Sequence, residues 1–326
     1  MYGLIADVGS THCRFALTDF RSQKPTLLYP TSLHTADYPS FIDAAKAYLG
    51  GQPGDLEPRH ATFAVAGPVG GDTVKLTNHS WTFSVSDLRT ALGLSVLRVI
   101  NDFVAVSLSV AALEPASLYT IGPSQKAHTK CFGVIGPGTG LGMGALITVD
   151  GAKVPLASEG GHASFAPTTE EELKIASVLM TRFGHVSNER ILSGPGLSNL
   201  YHAVCAIKNK APASLTPSEI SHHAVSGGDG DCAIALEHFC AILGAAAGDL
   251  ALLLCAEAIF IAGGIAPNIT AFLESSKFRA RFESKGRFRE HMRDVTTHVI
   301  TEPNPGLYGA AFDLAQAHNS GALKCP

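Results

Sequence analysis

The chain has 326 residues, 46% of them hydrophobic, with 33 glycines and 18 prolines, which is enough to bury the cores of two lobes. Its formal net charge of −4 is spread without long runs of one sign, so neither a nucleic-acid groove nor a membrane-attracting face is expected. The seven cysteines, from Cys13 to Cys325, contain no C-x-x-C, which argues against a disulfide framework and a zinc ribbon and for a reducing compartment.

Residues 2–6 form a short apolar run ending at Asp7, with no basic segment before it and too little apolar length for a secretory leader. The apolar pattern resumes at 14–17 after Gly9-Ser10-Thr11, which predicts strand, tight turn, strand. Residues 27–32 add a third strand, and Phe41, Ala45, Tyr48 and Leu49 have helical spacing stopped by Gly50-Gly51. Then 61–66 reads as a buried strand and Ser84 opens a short helix that Gly93 ends. The strand 96–100 delivers Asn101-Asp102 to a helix over 103–113.

From Lys130 the first hairpin's layout repeats: strand 131–135, a glycine turn over 136–142, strand 144–149. Glu170-Glu171-Glu172 suit the positive end of a helix dipole, and Thr216-Pro217-Ser218-Glu219 is a capping box. A long helix is predicted over 231–256, a strand over 259–262, and Gly263-Gly264 turns into another helix. A late strand over 295–301 and a closing helix over 305–318 follow. The most apolar region, 239–266, is broken by Asp249 and Glu257, too soon for a membrane span of ~20 residues. This order predicts an α/β chain of two lobes without a low-complexity linker.

The turn Asp7-Val8-Gly9-Ser10-Thr11 has two readings. It is a hairpin whose glycine permits positive φ, or a site where Asp7 holds hydrated Mg²⁺ while N–H groups and the Ser10 and Thr11 hydroxyls face a phosphate. Arg14 adds charge there or is a solvated strand residue. The second turn lacks both the G-x-G-x-x-G spacing and a following helix, and no G-x-x-x-x-G-K-[ST] stretch occurs, so Rossmann and P-loop cradles are ruled out. Two facing glycine hairpins are left, the second supplying Thr139 and neighbouring N–H groups to phosphates. Asn101-Asp102 is a helix N-cap or a ligand-binding pair. Glu159-Gly160-Gly161-His162 is a polar cluster among small residues, and Glu189 stands at the start of a helix; a lone Glu or His is ordinarily a surface or satisfied core group.

Eight segments together cover nearly the whole chain: Asp7-Val8-Gly9-x-Thr11, Thr77-Asn78-His79-x-Trp81, Ile100-Asn101-Asp102-Phe103, Gly138-Thr139-Gly140-Leu141-Gly142, Glu159-Gly160-Gly161-His162, Leu192-Ser193-Gly194-Pro195-Gly196-Leu197, Ile261-Ala262-Gly263-Gly264 and Asn304-Pro305-Gly306. In this order and spacing the chain resembles the bacterial glucokinases of the proteobacterial type, within the actin and hexokinase superfamily. The resemblance implies a two-lobed actin/hexokinase-like (ribonuclease H-like) α/β fold with an ATP and sugar cleft between the lobes. Its small domain would be 1–112 plus 303–326 and its large domain 113–302. It also implies transfer of the γ-phosphoryl group of ATP to the 6-hydroxyl of glucose, with Asp102 as the general base.

Carried over residue by residue, the resemblance gives Asn101, Asp102, Gly138, Glu159, His162 and Glu189 to the sugar. ATP phosphates would lie between the turn of Ala6, Asp7, Val8, Gly9, Ser10 and Thr11 and the turn at Gly138 and Thr139, with adenosine near Gly263 and Gly264. Asp7 would reach Mg²⁺ through water. A cytoplasmic homodimer is implied as well, with no nucleic-acid or membrane partner. The cysteine-rich zinc motif of repressor-type sugar kinases is missing, which separates the chain from that group. The first turn departs from the family in having Ala6 and Ser10 for glycines and His12 for asparagine; a β-carbon at position 10 is expected to hinder close approach or a positive φ. The rival readings are a kinase of another hexose and a sugar-binding regulator that has lost transfer; the retained Asp102 favours the enzyme.

Overall fold

The computed structural model describes residues 2–21, 24–54, 56–77, 79–123 and 130–323; Asn78 and Cys325, named above, lie outside the described residues. The chain divides into two compact units, 1–115 with 149–157 and 302–326, and 116–148 with 158–301.

The first unit opens with the hairpin β1 (Tyr2–Val8) and β2 (His12–Asp19), paired antiparallel from Tyr2↔Asp19 to Val8↔Cys13. β3 (Leu28–His34) pairs with β2, α1 (Phe41–Gly50) follows, and β4 (His60–Val65) runs parallel to β1. The ribbon β5 (Thr73–Lys75) and β6 (Thr82–Ser84) and the helix α2 (Val85–Ala91) lead to β7 (Val96–Asn101), parallel to β4, and to α3 (Asp102–Ser109). The sheet order is β3-β2-β1-β4-β7.

Alternation along β1 sends Leu4, Ala6 and Val8 into a core with Phe15, Phe41 and Phe63, and Ile5 into another with Phe20. This is why its sequence reads as a continuous apolar run. α1 forms because the Ser40 hydroxyl accepts from the Asp43 N–H at 3.3 Å and Phe41, Ala44, Ala45 and Tyr48 make one buried stripe. α3 ends at Ser109, short of the expected Leu113, because the Ala112 and Leu113 N–H groups both turn back to the Ser109 carbonyl.

The second unit contains β8 (Leu118–Ile121), then the hairpin β9 (Cys131–Pro137) and β10 (Leu141–Val149). β11 (Ala152–Ser158) groups with the first unit up to residue 157, where Lys153 exchanges hydrogen bonds with the Gln316 side chain. Then come α4 (Glu170–Phe183), α5 (Gly194–Ile207), α6 (Pro217–Ser226), α7 (Gly230–Leu254) and β12 (Ala258–Ile261). Short helices α8 (Thr270–Ser275), α9 (Phe278–Glu283) and α10 (Arg289–Asp294) precede β13 (Thr296–Ile300). Within this unit the strands run β10-β9-β12-β13-β8, with β9, β12 and β13 parallel. A glycine-turned hairpin continuing into two parallel strands thus occurs in each unit, as the repeated sequence layout predicts.

α7 is apolar nearly all round because it is the core helix, with Cys232, Leu236, Phe239 and Leu243 fully buried. By length and composition alone it could cross a membrane. α6 carries the predicted capping box between Thr216 and Glu219. After Gly263-Gly264 the expected helix does not start at once: Ala266–Ile269 is a 3₁₀ turn containing Pro267, and α8 follows it.

The chain returns to the first unit with α11 (Pro305–Asn319). Its Leu307, Ala310, Ala311 and Leu314 cover Ile5, Ala16 and Phe20, and its buried Asp313 takes a bidentate bond from Arg98 at 2.6 and 2.8 Å and one from the Thr62 hydroxyl at 2.9 Å. Gly309 lies so close to the Ala105 carbonyl that a β-carbon would collide with it. α11 thereby seats α3, the helix that begins at Asp102.

Candidate functional site

In the first unit Gly9-Ser10-Thr11 join β1 to β2, and the Gly9 N–H donates to the His12 carbonyl at 3.0 Å. Neither Gly9 nor Ser10 has a positive φ; among the described non-glycine residues only Tyr29, Asp150, Asn209 and Cys255 do. The turn makes no use of the positive φ that Gly9 permits, and Ser10 carries no backbone strain. Asp7 pairs across the hairpin with Arg14, Nη1 to Oδ2 3.7 Å, and its side chain is 20% exposed. Burial raises the Asp7 carboxyl above its ordinary value and Arg14 partly offsets this. A β-carbon on Gly306, in the first turn of α11, would stand 2.7 Å from the Asp7 carboxyl, so this glycine makes room for the carboxylate at a helix N-terminus.

Asn101 is the N-cap of α3: its Oδ1 accepts from Phe103 and Val104 N–H at 2.9 and 3.2 Å, and its Nδ2 donates to the Gly67 carbonyl at 3.2 Å. Asp102, the next residue, accepts the Phe103 N–H with Oδ1 at 2.9 Å. Its own N–H and the Asn101 side chain also act on the carboxylate and, with the Phe103 N–H, favour its charged form. Burial, and after it the negative charge of Asp7, push the Asp102 carboxyl up to about 6. Asp7 and Asp102 are therefore electrostatic neighbours, which strand-end positions in sequence had not shown.

No group of three His, Cys, Asp or Glu that could cage a metal occurs among the described residues. The donor set does fit a hydrated Mg²⁺ carried by phosphates: Asp7 is a carboxylate destabilised by burial, with the Arg14 guanidinium 3.7 Å away, so added positive charge would relieve it.

In the second unit Glu159, His162 and Glu189 come together. His162 Nε2 lies 3.8 Å from Glu159 Oε2 and its Nδ1 3.8 Å from Glu189 Oε1, with Glu159 and His162 exposed and Glu189 partly buried. Glu189 also touches the glycine turn: its Oε2 accepts the Leu141 N–H at 3.0 Å, and a β-carbon on Gly140 would stand 2.5 Å from that oxygen. Gly140 is thus a glycine for the sake of Glu189, not for φ. The turn is further pinned through Gly138, whose carbonyl accepts from Gly194 N–H at 2.8 Å while Ser193 caps α5 and donates to the Glu189 carbonyl at 2.8 Å. Thr139 is exposed at its tip. Gly263, at φ 83°, packs against the Pro137 carbonyl where any side chain would collide, so it abuts the start of the same turn. Gly264 borders a pocket of about 530 Å³ lined by Leu197, Pro217, His222, Ile265 and Asn268. Gly306, Ser193 and Gly194 stood in the quoted motifs without a role; their work is visible only once distant segments meet.

Each mixed sheet thus carries a turn with a carboxylate at it, Asp7 in the first unit and Glu189 behind the glycine turn in the second. The solved structure of a glucokinase from an Antarctic psychrotroph is similar over 98% of this chain and 99% of that one, with a TM-score of 0.87 and 36% identity. The glucokinase family model matches residues 4–317. Glucokinases of Caulobacter sp. and Escherichia coli are 45% and 42% identical over 313 and 316 residues, spanning 96% and 97% of this chain and 94% and 97% of theirs. The chain belongs to the glucokinase family.

Proposed function

We propose that this protein transfers the γ-phosphoryl group of ATP to the 6-hydroxyl of glucose, giving glucose 6-phosphate and ADP, on a two-lobed actin/hexokinase-like fold. The small domain of this reading is 1–112 plus 303–326 and the large one 113–302. The observation that carries it is Asp102: a carboxylate at the start of α3 that accepts the Phe103 N–H and is pushed up to about 6 by burial and by Asp7. Such a base is ionised at neutral pH and still accepts a proton readily. The sugar O–H bond breaks toward Asp102 as its oxygen forms the bond to the γ-phosphorus, and the bond from that phosphorus to the ADP oxygen breaks.

Asn101 orients Asp102 through the cap and through its side chain, and binds a sugar hydroxyl. Glu159, His162 and Glu189 bind further hydroxyls; a sugar with one of these inverted leaves a polar group unpaired, at about 1–3 kcal/mol. The turn from Ala6 to Thr11 and the turn at Gly138 and Thr139 take the phosphates, and the pocket beside Gly263 and Gly264 takes the adenosine. When bound, Mg²⁺ neutralises phosphate charge, with Asp7 accepting from its water. The six described cysteines are free thiols, which supports a cytoplasmic location, and the same reading includes a homodimer.

The test is ADP release by purified protein with Mg-ATP over a panel of hexoses, beside Asp102→Ala. Glucose-dependent turnover that the variant loses is expected. Sugar binding without turnover in the parent protein would overturn the reading in favour of a regulator.

A further inference from the structure

Thr35 belongs to no motif of the sequence, yet it is 2% exposed and every polar atom it has is used. It follows directly on β3, where the ladder pairs His12 with His34. Its N–H donates to the Thr11 carbonyl at 3.0 Å and its hydroxyl to the Ser10 carbonyl at 2.8 Å, while its own carbonyl accepts from the Tyr38 N–H. The ladder is thus carried one step past the strand end and into the turn, once by backbone and once by side chain. The His34 ring, accepting from Ala36 N–H at 3.3 Å, fixes the 3₁₀ turn Thr35–Asp37 from which this reach is made. The Ser10 and Thr11 N–H groups, in contrast, have no protein acceptor among the described residues.

We propose that Thr35 is a positioning residue that holds the Ser10 and Thr11 carbonyls back and so fixes the Ser10–Thr11 peptide plane, presenting the Thr11 N–H to the ATP phosphates. A short turn with both carbonyls anchored has little freedom to rotate its peptide planes, and this donor is preorganised rather than recruited on binding. Serine at position 10 fits this scheme, since its carbonyl, not its φ, is what the brace requires. The inference rests on the reading of this turn as a phosphate site.

Steady-state kinetics of Thr35→Val, Thr35→Ser and Ser10→Glu test both. Valine keeps the shape and the N–H but removes the hydroxyl, and the KM for ATP is expected to rise about fivefold with the KM for glucose within twofold. Serine restores the hydroxyl and is expected to return the ATP value to within twofold of the parent. Ser10→Glu places a negative charge in the turn and raises the ATP KM wherever phosphates bind there. A rise in Ser10→Glu with no change in Thr35→Val overturns the role of Thr35 and leaves the phosphate site standing; no change in either overturns both. An equal rise in both substrate KM values in Thr35→Val, not rescued by serine, would mark Thr35 as structural only. Thr35→Ala, which also lacks the hydroxyl, is read in the same way if the valine protein does not fold.

Discussion

Replacing Asp102 by asparagine should make the protein more stable and nearly inactive. The carboxyl is raised from 3.8 to about 6 by burial and by Asp7, which corresponds to an upper figure of ~3 kcal/mol. Asp102 keeps some exposure, and solvent screening brings the expected gain to about 1–2 kcal/mol, or roughly 2–6 °C in midpoint. Asparagine retains an oxygen for the Phe103 N–H, so the helix start is preserved. The sign follows from proton uptake: between pH 3.8 and about 6 the folded wild type holds a proton that the unfolded chain has released, so its stability falls as pH rises through that window. The advantage of Asp102→Asn is therefore full above pH 6 and vanishes below about 4. Calorimetry at pH 8 and pH 4 reads this directly. The same substitution should lower kcat by about 10²–10⁴-fold, and the wild-type acid limb should fall near pH 6. A variant less stable than wild type at pH 8, or a gap unchanged at pH 4, would refute the electrostatic account of Asp102.

Four further substitutions test other contacts of the chain. Gly140→Ala puts a β-carbon 2.5 Å from Glu189 Oε2 and should break the Leu141 bond, raising the glucose KM about tenfold in steady-state assays. Gly306→Ala crowds the Asp7 carboxyl and should lower turnover about tenfold without lowering the melting midpoint, since alanine favours the helix by up to ~1 kcal/mol. Arg14→Met removes the charge that holds the Asp7 carboxyl down, so the acid limb of kcat/KM for ATP should move to higher pH; an unmoved limb refutes the coupling. Arg98→Met strands the buried Asp313 with only Thr62 and should cost about 3 kcal/mol by denaturant titration.

Strand and helix identities were legible where a local rule suffices. The alternating burial of β1, the serine cap of α1 and the capping box of α6 each depend on residues within four positions of one another. The hairpin turns were located correctly, but the reason for their glycines was not: Gly140 answers to Glu189 and Gly306 to Asp7, across 49 and 299 positions of sequence, and no turn rule contains such partners. The same distance hid Thr35, whose part depends on the register of β2 against β3. After Gly264 the glycine pair signals a helix, but Pro267 sits in a 3₁₀ turn that delays it to Thr270.

The return of α11 to the first unit also fixes an order of events during synthesis. Residues 305–319 leave the ribosome after the whole of 116–301, yet they supply the apolar cover for Ile5, Ala16 and Phe20 and the seat for α3. The second unit can therefore mature on a nascent chain whose first sheet is still bare on one face. Gly306 meets the Asp7 carboxyl and Gly309 the Ala105 carbonyl of α3 only when that last segment docks, so a chain stalled before it would lack the packing that seats both.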